Sequence, residues 1–249
     1  MSGTIGDFGA IIFTVIFLFG FGCILGWCIE LLFRRFISSK NPERKWINPG
    51  FLVGPWLPLY GFGLASLYFM SFIPFIGIKS LDEITVGSVI SAIIVMGLLM
   101  TLIEYIAGLI FIKGMHIKLW DYSNKKGNIQ GIICPQFTVI WILLAGVYYF
   151  FIQPGIIGLV IWFYEHIWFI FVVGAFAGVF LVDLCYSLYV MGYISKYGKD
   201  ENCTIKYQEL QAAMRAVDDK NKKAFRFSFN SKDKHEIKEH LKDVSEKRD

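Results

Sequence analysis

Three acidic residues stand inside long apolar stretches of the chain, where a carboxylate is costly to keep. They are Glu30, Glu104 and Asp183. An ionised carboxylate near the bilayer centre costs roughly 2.5–3.5 kcal/mol on insertion scales, so such groups usually face a bundle interior, bind a proton or pair with a cation. Acids retained at such depth are candidates for lining a substrate path.

Glu30 and Glu104 each share a helical face with small residues, at positions 22, 23 and 26 and at positions 97, 101 and 108 respectively. Small residues permit close approach of helices, so we expect both acids to lie in helix contacts rather than against lipid. For Glu30 the alternative is an ion pair with Arg34 one turn on. Asp183 leaves a structural and a functional interpretation open. The proposed path comprises these acids together with Asn48, Tyr60 and Tyr105.

The composition requires a membrane. Of 249 residues, 55% are hydrophobic and only 18% are charged, against about 45–50% and about 25% in soluble domains. A net charge of +4 is too small to suggest a nucleic-acid partner. The five cysteines are odd in number and contain no CxxC pair, so we expect neither a disulfide framework nor a metal or other cofactor.

Hydropathy separates the chain into five predicted spans and a polar tail. An all-α bundle of about five transmembrane helices follows, with residues 1–195 as the membrane domain and 196–249 as a tail holding two short amphipathic helices, near 210–217 and 237–244. A sixth apolar stretch, 155–164, is too short to cross and is interpreted as interfacial or re-entrant. The predicted spans are 8–33, 51–78, 84–112, 132–152 and 167–193.

The distribution of lysine and arginine predicts the orientation. Five lie in the first loop, four in the third and fourteen from Lys196 onward, whereas Lys79 alone lies on the other side. Because basic loops stay in the cytoplasm, we expect a multi-pass protein of the cell membrane with its N-terminus outside and its tail inside. Membrane lipids are therefore expected partners of the chain.

The second predicted span has an irregular start. Residues 47–63 contain three prolines and four glycines. Proline removes backbone donors and glycine lets backbones approach closely, so a broken or re-entrant entrance is favoured over a merely kinked helix. A second polar run, LWDYSNKKGNIQG at 119–131, predicts a loop anchored by interfacial aromatic residues.

Together, GFLVGPWLPLYGFG, LIEY, LWDYSNKKGNIQG and CPQFTVIW resemble the CmpB-like family of type IV ABC-transporter permeases, bacterial integral membrane proteins. The likeness covers roughly residues 26–183, and the tail lies outside it. The family's pattern commonly has arginines where this chain has Pro49 and Ile132. The motif positions are Gly50, Gly54, Pro55, Gly61, Gly63, Trp120, Asp121, Tyr122, Asn128 and Gly131.

The resemblance implies transport across the cell membrane together with a separate ATPase subunit. The chain has no GxxxxGK[ST] sequence, so it has no P-loop of its own. A bundle this small also suggests a homo-oligomer or a partner. Two alternatives stay open: an intramembrane enzyme acting on a lipid or lipid-linked substrate, for which HExxH and GxSxG motifs are lacking, and a non-catalytic accessory protein.

Overall fold

The computed structural model describes residues 2–38, 41–72, 85–201 and 203–212. These residues form six numbered α-helices and a further helical stretch at 207–212, with π-helical turns at Ile110–Gly114 and Tyr148–Ile152, a 3₁₀ turn at Ile167–Phe169 and two short strands. The helices are α1 Ser2–Phe36, α2 Pro58–Met70, α3 Val86–Leu109, α4 Pro135–Val147, α5 Gln153–Glu165 and α6 Ile170–Asp200; the strands are β1 Ile117–Lys118 and β2 Ile205–Lys206.

Four helical stretches are long and apolar enough to cross a membrane: Gly9–Phe36, Val86–Gly114, Pro135–Glu165 and Ile167–Asp200. They confirm the all-α membrane bundle. In the second predicted span, α2 begins only at Pro58, and positions 73–78 lie outside the described residues. The count of five crossings stays a prediction.

The stretch 155–164 differs from its interpretation as a separate piece. It belongs to a continuous helical run with α4, joined through the π-helical turn at Tyr148–Ile152. Pro154 lies in the first turn of α5, where a proline needs no intrahelical N–H bond. Because α5 begins directly after the π-helical turn, Pro154 does not interrupt the helical run.

Glycines set the closest helix contacts. A Cβ at Gly26 of α1 would lie 2.2 Å from Cγ of Tyr60 on α2, and one at Gly97 of α3 would lie 2.5 Å from the Ile142 Cα on α4. The prediction that these two faces are helix contacts is confirmed. Gly174 and Gly178 on α6 differ, because an added Cβ there would meet nothing within 4 Å.

Residues 41–57, 115–134 and 203–212 gather at one end of the bundle, which we call the loop end. There β1 and β2 pair in parallel, and the Ile205 amide donates to the His116 carbonyl at 2.9 Å. Leu210 is 0% exposed in a core shared with Ile117 and Ile194. The start of the tail therefore packs on the helical bundle, while the domain boundary at 195 stays a prediction. Residues 207–212 are helical, and the rest of the predicted tail helices lies outside the described residues.

Replacing Leu210 tests this packing. Leu210→Asp places a charge in an apolar core, so we expect residues 203–212 to detach while the membrane helices stay folded. Burying one leucine contributes about 1.5–3 kcal/mol; the exchange rate of the Ile205 amide should rise by about ten- to a hundredfold in hydrogen–deuterium exchange. Ala212→Asp is the matched control, because Ala212 is exposed. Equal exchange in both variants would contradict the packing.

Candidate functional site

Glu104 is buried in the bundle and bound by two aromatic side chains. It lies on α3 and is 4% exposed. The Tyr122 hydroxyl donates to Oε1 at 3.1 Å, and Trp141 Nε1 on α4 donates to Oε2 at 2.9 Å. Among the described residues no cation pairs with this carboxylate. Two hydrogen bonds thus stabilise a group that hydrocarbon would reject.

Glu30 lies at the same end of the bundle, on α1. Its Oε1 accepts from Arg34 Nε at 3.1 Å, which is the local ion pair that the sequence allowed. The Tyr60 hydroxyl on α2 donates to Oε2 at 3.5 Å. Glu30 is therefore half-buried and neutralised by its own helix, with one further contact into the bundle.

The two acids meet through the aromatic residues that bind them. The rings of Tyr60 and Trp141 have centroids 6.4 Å apart, so the side chains that bind Glu30 and Glu104 lie next to each other. Tyr105 is half-buried on α3 and makes no hydrogen bond within this group. We call the following set the acid cluster: Glu30, Arg34, Tyr60, Glu104, Tyr122 and Trp141.

Asp183 on α6 binds a different element. Its Oδ1 accepts from the Val53 amide at 3.0 Å and from Ser187 Oγ at 2.9 Å, and its Oδ2 accepts from the Gly54 amide at 2.8 Å and from Trp56 Nε1. No hydrogen bond or ion pair within the described part of the chain joins it to the acid cluster. The structure thus brings Glu30 and Glu104 together, and ties Asp183 to the segment 47–57.

The segment 47–57, which we call the entrance segment, is non-helical as the prolines and glycines predict. Asn48, 4% exposed, organises it: Oδ1 accepts from Trp27 Nε1 at 2.9 Å, and Nδ2 donates to the Leu52 carbonyl at 2.8 Å. Gly50 is buried within it, and Pro55 is exposed. Gly54 provides one of the two backbone amides that Asp183 binds.

The motif glycines Gly61 and Gly63 lie on α2 and face neighbouring helices. A Cβ at Gly61 would lie 2.5 Å from Cys23 Sγ, and one at Gly63 would lie 2.6 Å from Met100 Cε. The Leu57 amide also donates to the Cys23 carbonyl at 3.0 Å. The first half of the motif therefore seats α2 against α1 and α3.

Asp183→Asn should loosen the entrance segment. The asparagine amide nitrogen would face donors that now bind a carboxylate, and a hydrogen bond to a charged group contributes about 1.5–3 kcal/mol. We expect the Val53 and Gly54 amides to exchange at least about tenfold faster in hydrogen–deuterium exchange. Asp200→Asn is the control, because Asp200 is exposed at the end of the same helix. Unchanged exchange in Asp183→Asn would contradict the role of Asp183 in holding the entrance segment.

The loop 119–131 is held by its own polar residues. Asp121 Oδ1 accepts from the Ser123 amide at 2.9 Å and from Lys118 Nζ at 3.2 Å, and Asn128 Oδ1 accepts from the Gly131 amide at 3.0 Å. Burial alone would raise the pKa of Asp121, but the hydrogen bonds from Ser123 and the charge of Lys118 hold it below its ordinary value. The carboxylate therefore stays ionised at neutral pH and fixes the turn.

This turn positions the Tyr122 hydroxyl to bind Glu104 in the acid cluster. Gly131 has φ +69°, and a Cβ there would lie 2.4 Å from Ser123 Oγ, so the position favours glycine. Trp120 Nε1 donates to the Ile132 carbonyl at 2.9 Å. The Tyr122 ring stacks on Phe137 at 4.3 Å, and burial together with the nearby Glu104 raises the pKa of Tyr122. Its hydroxyl thus remains a proton-bearing donor.

Sequence reasoning missed the tryptophans that complete these sites. Trp141 binds Glu104, Trp56 binds Asp183 and Trp27 binds Asn48. A buried indole N–H usually finds an acceptor, so tryptophans near intramembrane acids were the available signal. Within the described ranges, no group of three or more His, Cys, Asp or Glu side chains could hold a metal ion.

Comparison with known proteins places these residues in one family match. The family model described as "Putative ABC-transporter type IV" matches residues 17–188. The match contains the acid cluster, the entrance segment, the loop 119–131 and Asp183, and it ends before the docked residues 203–212. No curated protein and no solved structure matches the sequence.

Proposed function

The chain belongs to the family described as "Putative ABC-transporter type IV", and from that premise we propose that it is the permease-like subunit of a transport system with a separate ATPase. It is an ABC-transport-related membrane protein with four helices able to cross a bilayer. The sequence has no P-loop motif of its own. ATP hydrolysis would therefore come from the partner.

The loop end faces the cytoplasm in this proposal. Basic residues concentrate in the first loop, the third loop and the tail, and Lys79 alone lies in the segments assigned to the other side. The N-terminus is then outside the cell membrane. The ATPase would dock at the loop end, where the exposed residues 123–127 form the tip of the third loop.

The observation that carries the proposal is the buried carboxylate of Glu104. It lies near the loop end, without a cationic partner among the described residues, and meets Glu30 through Tyr60 and Trp141. An apolar residue of similar volume would cost less in that position than a carboxyl group. The presence of the carboxyl group supports a polar path that opens from the loop end, with both acids in its lining.

A second copy or a larger complex would complete the path. So few helices enclose little volume, and transporters usually form their paths between repeats or subunits. On α6, Gly174 and Gly178 form a GxxxG pair with open space beside each. Pairs of this spacing are common in helix–helix contacts within membranes, which supports oligomerisation through α6.

Purification from native membranes with genomic neighbours co-expressed tests the proposal. We expect a discrete ATPase to co-elute with the chain, and its ATP hydrolysis to depend on the chain's presence. Lipid turnover by the isolated chain, lost in Glu104→Gln, would overturn transport in favour of an intramembrane enzyme. Recovery of the chain without any ATPase, from membranes that contain the candidate subunit, would also overturn it.

A further inference from the structure

Two arginines at the loop end of α1 lie against each other's backbone. Arg35 Nη1 donates to the Arg44 carbonyl, and Arg44 Nη1 donates to the Arg35 carbonyl at 3.2 Å. The Arg35 guanidinium also lies 4.3 Å from the centroid of the Trp46 ring and 5.6 Å from that of Phe36. Both cations are therefore held in one place on the surface, beside two aromatic rings.

The turn that carries Arg44 is preorganised by a buried side chain. Asn41 is 6% exposed; its Nδ2 donates to the Arg34 carbonyl at 3.0 Å and to the Lys45 carbonyl at 2.8 Å, and its Oδ1 accepts from the Lys45 amide. Arg44 itself has φ +53°, an unfavourable conformation for a residue with a side chain. The fold thus accepts backbone strain to place this guanidinium beside Arg35.

Among the described residues, the charges around this pair leave an excess of two positive charges. Glu43 pairs with Lys45 at 2.7 Å, and Glu30 pairs with Arg34 at 3.1 Å. Neither Arg35 nor Arg44 has a carboxylate within 4.0 Å in the described part of the chain. Two neighbouring cations repel each other, and an anion bound between them would be attracted to both and would offset that repulsion.

The surface beside the arginines is apolar and open. Phe36 is 61% exposed, Ile37 is 69% exposed and Trp46 is 44% exposed. Tryptophan and arginine side chains of this kind are common at the level of lipid headgroups, where one part of the side chain is apolar and the other is polar. A ligand that satisfies this surface must offer an anion with an apolar portion next to it.

We infer that Arg35 and Arg44 bind the phosphate of an anionic phospholipid, whose glycerol and upper acyl chains lie against Phe36, Ile37 and Trp46. Guanidinium groups suit this ligand because they bind phosphate oxygens in pairs and remain charged at all physiological pH values. Neither arginine belongs to the acid cluster. The site stands whether or not the chain transports a substrate.

Native mass spectrometry of the full-length protein tests the site. The protein is released from vesicles of equal parts phosphatidylglycerol and phosphatidylcholine, and the ratio of the two lipids bound is measured. We expect wild-type protein to retain phosphatidylglycerol preferentially. In Arg35→Gln/Arg44→Gln the ratio should fall by about fivefold for each guanidinium removed.

A matched variant separates the site from general charge. Lys196→Gln/Lys199→Gln removes two exposed cations of α6, so its lipid ratio should stay within about twofold of wild type. Arg35→Lys/Arg44→Lys keeps the charge and lets the turn fold, and should retain an intermediate ratio. An equal fall in the α6 lysine variant, or no fall in the glutamine variant with its melting temperature preserved, would overturn the inference. Binding of an acidic protein in place of lipid would overturn it too.

Discussion

Glu104→Gln is expected to leave the protein folded and to lower ATP hydrolysis by its complex with the ATPase by about tenfold or more. The glutamine carbonyl can still accept from Trp141, whose N–H only donates, and its amide can donate to the Tyr122 hydroxyl, which can also accept. The substitution therefore removes the acidic group and keeps the packing. A substrate that binds this carboxyl group in the proposed path would lose its interaction with it; a hydrogen bond to a charged group contributes about 1.5–3 kcal/mol, and 1.4 kcal/mol corresponds to a factor of ten.

The comparison for Glu104→Gln is Glu165→Gln, an exposed acid at the end of α5. Both variants should accumulate in the membrane at the wild-type level, and Glu165→Gln should keep its activity. Full activity in Glu104→Gln would exclude its carboxylate from the site. For Glu30→Gln we expect a smaller loss, because Arg34 already neutralises that carboxylate.

Gly97→Ala should disrupt the bundle. The added Cβ would lie 2.5 Å from the Ile142 Cα and 2.7 Å from its amide nitrogen. Overpacking commonly costs about 1–3 kcal/mol, and here the obstacle is backbone, so the whole of α4 must move away from α3. That movement would also withdraw Trp141 from Glu104. We expect loss of a monodisperse peak in size-exclusion chromatography and a markedly lower melting temperature.

Gly158→Ala is the control for this steric effect. An added methyl group at Gly158 of α5 meets nothing within 4 Å, and alanine is a better helix former than glycine by about 1 kcal/mol. The protein should therefore be unchanged or slightly stabilised. A Gly97→Ala protein as stable as Gly158→Ala would contradict the close contact of α3 with α4.

Local features of the sequence predicted the fold and part of the site. Long apolar runs indicated the helices, and small residues spaced three, four, seven or eight from Glu30 and Glu104 indicated their helix-contact faces. Proline and glycine at 47–63 indicated the non-helical entrance. The ion pair of Glu30 with Arg34 followed from helical geometry alone, since one turn separates them.

Contacts between distant segments were beyond that reasoning. Asp183 binds the backbone amides of Val53 and Gly54, 130 and 129 residues away. Every residue except proline has a backbone N–H, so the sequence does not show which amide an acid will bind. Trp141 reaches Glu104 across 37 residues, and its indole gives no sign of which acid it binds. The docking of residues 203–212 includes a two-residue strand pair, which is too short to produce an alternating pattern in the sequence.

Thiol labelling at position 104 tests the proposed path most directly. Glu104→Cys is made in a protein whose native cysteines at 23, 28, 134, 185 and 203 are replaced, and is treated with a membrane-impermeant maleimide. The account predicts labelling in inverted membrane vesicles and none in intact cells, with Ser123→Cys, an exposed loop position, labelling in the same vesicles. Labelling at 104 from outside the cell, or none in vesicles where Ser123→Cys reacts, would contradict a path that opens from the loop end into the cytoplasm.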